Sequence, residues 1–131
     1  FVDVVPQLQD RCAAAGIPCF TLTGSMSHGA RARALRSFNE ASMGAVFILG
    51  RRSGSVGLNL TAATDVLLLE PLLSKAVEEQ AVGRAVRIGQ ARQVRVTRLI
   101  CGGTVEEAIM RRRDAGGGFS NLVVQRLLAE S

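Results

Sequence analysis

The sequence predicts a doubly wound α/β domain, a parallel sheet flanked by helices, on three observations. Short apolar runs alternate with segments of helical periodicity along most of the chain. Two of the runs, Ala45 to Leu49 and Val66 to Leu69, are apolar throughout, as strands covered on both faces should be. Regular alternation of strand and helix implies right-handed crossovers, and hence parallel neighbours.

The elements follow in order. A first helix runs from Val4 to Ala15, with Pro6 near its start and Gly16 just past its end, the asymmetry that helix termini favour. The run Ile17 to Leu22 is a first strand. Ser27 is placed to cap a helix to about Ala41, with Ala30, Ala34, Leu35 and Phe38 on its apolar face. Ala45 to Leu49 and Val66 to Leu69 are the next strands, and Ser74 is placed to cap a helix from Lys75 to about Val86. Val94 to Ile100 is the fourth strand, and Thr104-Val105-Glu106-Glu107 is a capping box opening a helix to about Arg113. Three glycines, Gly116 to Gly118, then break the chain before an amphipathic helix from Phe119 to Ala129. Residues 1–113 are expected to form one domain, and residues 114–131 a Gly-rich linker with a C-terminal helical extension. In such sheets ligands bind off the carboxyl ends of the strands, where Gly24-Ser25, the Gly50–Gly57 loop and Pro71 fall.

Composition narrows the function. At 131 residues the chain can bury a core without help from a disulfide or metal. Five Phe, no Tyr and no Trp argue for an aliphatic core and against stacking platforms for single-stranded nucleic acid. Cys12, Cys19 and Cys101 are odd in number and lack paired spacing, so they read as small buried apolar residues in a reducing compartment, with no metal site. No run approaches a membrane span and no signal peptide is legible. The chain opens on Phe1 rather than an initiator Met and is expected to be a piece of a longer protein.

Net charge is +5, and fifteen of the sixteen basic residues are Arg. Eight of them (Arg84, Arg87, Arg92, Arg95, Arg98, Arg111, Arg112, Arg113) face only Glu106 and Glu107 between Arg84 and Arg113, an excess of +6. A polyanionic partner follows, since the guanidinium fork suits phosphate.

Three segments carry chemistry. In Gln80-Ala81-Val82-Gly83-Arg84-Ala85-Val86-Arg87-Ile88-Gly89-Gln90 the spacing i, i+4, i+7 sets Gln80, Arg84 and Arg87 on one face of the expected helix. Gly83 in mid-helix costs about 1 kcal/mol relative to Ala, which makes sense where backbone or ligand approaches closely. Two guanidinium groups on a common edge can stabilise charge developing on a transferring phosphoryl group. The second segment, Ser53-Gly54-Ser55-Val56-Gly57-Leu58-Asn59-Leu60-Thr61, follows an apolar strand with small residues that let a phosphate or ribose approach the backbone. The third is Thr23-Gly24-Ser25-Met26-Ser27, followed by Arg31, Arg33 and Arg36.

Taken in order, these segments, together with Thr61-Ala62-Ala63 and Gly103-Thr104-Val105-Glu106-Glu107, resemble the C-terminal, second RecA-like lobe of superfamily-two helicases of the Swi/Snf branch. The likeness covers about Phe1 to Arg113, and the ending Gln80-Ala81…Arg84…Arg87-Ile88-Gly89-Gln90 is specific to that branch. The resemblance implies a RecA-like fold and the second motor lobe of an ATP-dependent double-stranded DNA translocase of the chromatin-remodelling or DNA-repair type, acting in the nucleus. Arg84 and Arg87 would be arginine fingers toward ATP and magnesium bound mainly by an N-terminal RecA-like lobe of the same polypeptide. It also implies that Gln80, Gly57 and Asn59 lie near the nucleotide, and that Ser25, Gly54 and Ser55 lie toward the DNA backbone. Glu70-Pro71-Leu72-Leu73 stands where most relatives carry two Trp and Asn-Pro. This form is similar to the RING-finger ubiquitin-ligase subgroup typified by SHPRH, which would add ubiquitin machinery as a partner, as a remodelling role would add nucleosomes. Thr23 replaces a usual acidic residue, and Gly50, Ser53 and Ser55 depart from the common loop.

The chain lacks a phosphate-binding GxxxxGK[ST] loop, since its sole Lys, Lys75, follows Leu73-Ser74. It also lacks a DExH motif, because its sole His, His28, follows Ser27 and reads as a surface residue at a helix start. By itself this sequence is therefore not expected to hydrolyse ATP. A non-catalytic RecA-like module that binds nucleic acid or a partner is the alternative, and an RNA helicase lobe a further one.

Overall fold

A computed structural model of the chain describes residues 4–50 and 57–116. The expected helix from Phe119 to Ala129 lies outside the described residues, as do Gly54 and Ser55. The chain divides into two compact units, Phe1–Ala62 and Ala63–Ser131.

The first unit contains helix α1 (Val4–Ala14), strand β1 (Cys19–Leu22), helix α2 (His28–Asn39) and strand β2 (Val46–Leu49). Gly16, at φ +67, turns the chain out of α1 in a left-handed conformation that a side chain would strain. β1 and β2 pair in parallel, with Phe20 opposite Phe47 and Leu22 opposite Leu49. The two strands and the intervening α2 thus form a βαβ unit. Ser27 caps α2 as expected, its Oγ accepting from Ala30 N at 3.3 Å. The apolar face read from the sequence is the packed one. Phe38 is buried and sits edge-on to Phe20 of β1 and Phe47 of β2, at centroid distances of 6.4 and 5.2 Å. Phenylalanine therefore organises this core, beside the aliphatic Leu22, Ile48, Leu58 and Leu60. Gln9 Nε2 donates to Thr21 Oγ1 at 2.8 Å and ties α1 to β1.

The second unit repeats the arrangement with strand β3 (Asp65–Leu68), helix α3 (Lys75–Val82), strand β4 (Arg95–Arg98) and helix α4 (Val105–Asp114). β3 and β4 are again parallel, with Asp65 opposite Arg95 and Leu68 opposite Arg98. β3 is not covered on both faces as its apolar run suggested. Val66 and Leu68 are half-buried, while Asp65 and Leu67 alternate onto an open face where Leu67 is 61% exposed. β4 is shorter than expected, because Leu99 and Ile100 turn outward and are exposed after Leu99 N makes the last bond to Leu68 O.

Two caps differ from expectation in detail. Ser74 stands at the α3 N-cap in extended conformation, but its side chain makes no capping bond. At α4 the Thr104 hydroxyl accepts from Glu106 N and donates to Cys101 O. The returning carboxylate is that of Glu106, on Cys101 N at 2.8 Å, rather than that of Glu107. Cys12 and Cys19 are half-buried, and burial together with the neighbouring Cys12 raises the Cys19 thiol pKa. Cys101 is exposed, contrary to the buried role expected of it, because it lies in the loop that precedes the α4 cap.

Candidate functional site

The candidate residues fall in both units. Ser25, Gly57 and Asn59 belong to the first, and Gln80, Arg84 and Arg87 to the second.

In the first unit the loop after β1 is organised by Arg31. Its Nε donates to Met26 O at 3.0 Å, and its Nη2 donates to Gly24 O at 2.9 Å and Thr23 O at 3.4 Å. One planar fork thus satisfies three carbonyls of residues 23–26, a task suited to Arg rather than Lys. Ser25 is held at the tip, exposed, with its hydroxyl 3.2 Å from that of Thr23. In the sequence Arg31 is one of three arginines on a helix, and only the tertiary structure makes it a loop clamp. Asn59 is exposed between the buried Leu58 and Leu60. Its Oδ1 accepts from Thr61 N at 3.3 Å and its backbone carbonyl accepts from Asn39 Nδ2 at 3.3 Å, which fixes the side-chain orientation. Gly57 is exposed, and nothing described lies within 4 Å of the point where a Cβ would stand.

In the second unit the expected shared helix face does not form. α3 ends at Val82, so Gln80 lies in its last turn while Arg84 and Arg87 follow beyond the helix. Gly83 is the cause, being the poorest helix former after Pro. From there the chain tightens, with Arg84 N bonded to Ala81 O and Ala85 N to Val82 O. What approaches Gly83 is the helix itself, since a Cβ there would stand 3.0 Å from Glu79 O.

The segment is nevertheless firmly held. Ala85 is 2% exposed and anchors its middle. Gly89, at φ +101, permits a turn that brings Gln90 back. Gln90 Nε2 then donates to Ala63 O at 2.8 Å and Ala85 O at 3.3 Å, and its Oε1 accepts from Arg92 N at 3.0 Å. Gln80 and Arg87 are exposed, Arg84 is half-buried, and Ile88 is 98% exposed. Arg87 makes no ion pair with a described residue.

The basic cluster between Arg84 and Arg113 is smaller than its formal charge. Arg95 lies 3.5 Å from Asp65. Arg98 and Arg113 both bind the buried carboxylate of Glu78, and Arg113 also binds Asp114 and Leu72 O. Sequence reading missed this triad because Glu78 lies outside the Arg-rich stretch. The available signal was that Glu78 and Glu79, being adjacent, point apart on a helix, so that one can turn inward while the other is exposed.

Two βαβ units, one with an Arg-clamped loop after its first strand and one with an Arg-bearing turn between its helix and its second strand, are the parts of a RecA-like α/β lobe. The helicase conserved C-terminal domain family matches residues 1–89, and the chain belongs to it. Within that family it is the C-terminal lobe of a Swi/Snf-type superfamily-two helicase. It is 41% identical over 96 residues to DNA repair protein RAD5B of Arabidopsis thaliana, covering 73% of this chain and 8% of that protein. To the human SWI/SNF-related matrix-associated actin-dependent regulator of chromatin subfamily A member 1 it is 37% identical over 120 residues, covering 91% and 12% respectively. The crystal structure of the C-terminal part of the Fun30 ATPase domain superposes at TM-score 0.83 with 25% identity, over 98% of this chain and 44% of that one. The expected RecA-like α/β class therefore holds. The chain spans about a tenth of the length of the curated relatives named here.

Proposed function

We propose that this lobe is the second half of the motor in an ATP-dependent double-stranded DNA translocase of the chromatin-remodelling or DNA-repair type. The observation that carries the reading is Arg87, an exposed guanidinium with no ion pair to a described residue, standing in a segment fixed by Ala85, Gly89 and Gln90. A cation held this way fits the polyphosphate of a nucleotide bound elsewhere. In this reading Arg87 and Arg84 stabilise negative charge on the transferring phosphoryl group, and Gln80 helps to orient it. Gly57 and Asn59 lie toward the ribose, and Ser25, Gly54 and Ser55 lie along the DNA backbone.

ATP and its magnesium would be held mainly by an N-terminal RecA-like lobe of the same polypeptide, with magnesium neutralising phosphate charge when bound. Residues 1–113 form the lobe and residues 114–131 its extension. The human relative is named as a regulator of chromatin, which supports a nuclear location and a DNA partner. Glu70-Pro71-Leu72-Leu73 supports the RING-finger subgroup and its ubiquitin partners, and a chromatin-remodelling role would bring nucleosomes.

The test is ATP hydrolysis by the parent protein, with no nucleic acid, with duplex DNA and with RNA. Duplex DNA is expected to stimulate most, and Arg87→Ala to lower the stimulated rate by about 10³-fold or more. An unchanged rate in Arg87→Ala removes the finger assignment. Binding of DNA without hydrolysis marks a non-catalytic module, and stronger stimulation by RNA an RNA helicase.

A further inference from the structure

Among the described residues two charged side chains are buried, Glu78 and Arg113, and neither is Arg84 or Arg87. Glu78 is 6% exposed in the middle of α3, among residues that otherwise carry little polarity inward. Arg98 of β4 donates to its Oε1 through Nε at 2.9 Å and through Nη2 as well. Arg113 of α4, 7% exposed, donates to its Oε2 at 2.5 Å and also to Leu72 O at 3.2 Å, in the segment that leads into α3. One carboxylate therefore joins three elements, and its α4 partner also grips the approach to the third. Buried ion triads add little net stability compared with well-packed apolar residues, so this cluster is better read as fixing geometry than as strengthening the core.

What it fixes is the base of the finger segment. Glu78 stands two residues before Gln80, and an unbroken ladder of backbone bonds leads onward through Gly83 N to Glu79 O, Arg84 N to Ala81 O and Ala85 N to Val82 O. The far end of the same segment is held by Gln90 on Ala63 O, beside the start of β3. The stretch from 79 to 89 is thus gripped at both ends, from β4 and α4 at one and from the β3 approach at the other. Between the grips it carries Arg84 and Arg87.

We propose that Glu78 is a positioning residue for phosphoryl transfer: held by Arg98 and Arg113, it sets the register of α3 and so of the segment beyond it that presents Arg84 and Arg87 to the nucleotide. The proposal rests on the finger assignment above. Glu78 touches neither nucleotide nor DNA in this scheme and acts through the segment it holds. Misplacement by about 1 Å from a site remote from the chemistry can cost about 10²-fold in rate.

The experiment is steady-state ATP hydrolysis by the parent protein on saturating duplex DNA, at a temperature where thermal melts show every variant folded. The variants are Glu78→Gln, Arg87→Ala and the double variant. Glu78→Gln is expected to lower kcat by about tenfold or more, with the KM for ATP and the Kd for DNA changed less than about twofold. The double variant is expected to be no slower than Arg87→Ala alone within about twofold, because both substitutions disable one device.

An unchanged kcat in Glu78→Gln overturns the proposal. So does a double variant whose loss is the product of the two single losses, since a merely structural weakening would multiply. Arg87→Ala with full activity instead removes the finger assignment itself, and the positioning role with it. Should Glu78→Gln fail to fold, Arg98→Gln serves under the same criteria. Its side chain is 43% exposed and its loss leaves Glu78 paired with Arg113, so a kcat fall of about threefold, again absent on the Arg87→Ala background, is expected.

Discussion

Arg113, in the last turn of α4, donates from Nη1 to Glu78 Oε2 of α3 at 2.5 Å, and both side chains are buried, at 5% and 7% exposure. Arg98 reaches the same carboxylate from β4, but its side chain is 43% exposed. The two arginines thus bind one anion from unequal environments.

That inequality predicts unequal cost. Arg113→Ala leaves Glu78 buried with only the exposed Arg98 and strips the bonds to Leu72 O and Asp114, so it should destabilise the chain by about 3–5 kcal/mol. Arg98→Ala, in a solvent-screened position, should cost about 1 kcal/mol. Urea unfolding of both variants checks the ranking, and equal losses would contradict it.

Acid should act through the same group. The hydrogen bond from Arg98, followed by that from Arg113, holds the Glu78 pKa below the ordinary glutamate range, against the opposing effect of burial. A carboxyl group with a depressed folded value binds fewer protons folded than unfolded. Its contribution is therefore complete above the unfolded value, about pH 4.3, and is lost as pH falls through the folded value. Thermal melts from pH 7 to pH 3 should show wild type losing stability below that point more steeply than Glu78→Gln.

The turn that closes the 79–89 segment should resist change at two positions. Gly89→Ala meets no atom within 4 Å, so its cost is conformational alone, about 1–2 kcal/mol for a side chain at φ +101. Gln90→Ala removes the bonds to Ala63 O, Ala85 O and Arg92 N and should cost about 1–3 kcal/mol. Denaturant midpoints measure both. If Gln90→Ala is neutral, the clasp does not hold the segment.

Arg31→Ala should loosen the loop at residues 23–26 without unfolding the unit, since the Phe20, Phe38 and Phe47 cluster is untouched. The Met26 amide, bonded to Thr23 O at 3.3 Å, is the reporter. Its hydrogen exchange should quicken by about tenfold, while amides within β1 keep their protection.

Local signals in the sequence were reliable where a residue decides its own surroundings. Ser27 and Thr104 stand at helix starts because a hydroxyl there can meet an orphan N–H, and both do so. Phe38 was legible as a core residue from the helical spacing of its neighbours, and it packs where that spacing directs it. The Gly83 penalty was legible too, but it was read as a tolerated cost inside a longer helix. In the fold it ends the helix, since Arg84 N and Ala85 N bond three residues back, to Ala81 O and Val82 O, and Gln90 draws the chain elsewhere.

Chain order alone determined the alternation of strand and helix, the family motifs and the choice of Gln80, Arg84 and Arg87 as candidates, since these depend on neighbours a few positions apart. Only the tertiary structure decided which charges remain available. Glu78 meets Arg98 and Arg113 across separations of 20 and 35 residues, and no local pattern encodes such a meeting. Arg113 was thereby buried and the charge of the exposed Arg98 was paired, while Arg87 stayed exposed without an ion pair to a described residue. The physical reason is that burial and Coulomb attraction depend on distance in space, which a chain acquires only when its elements pack.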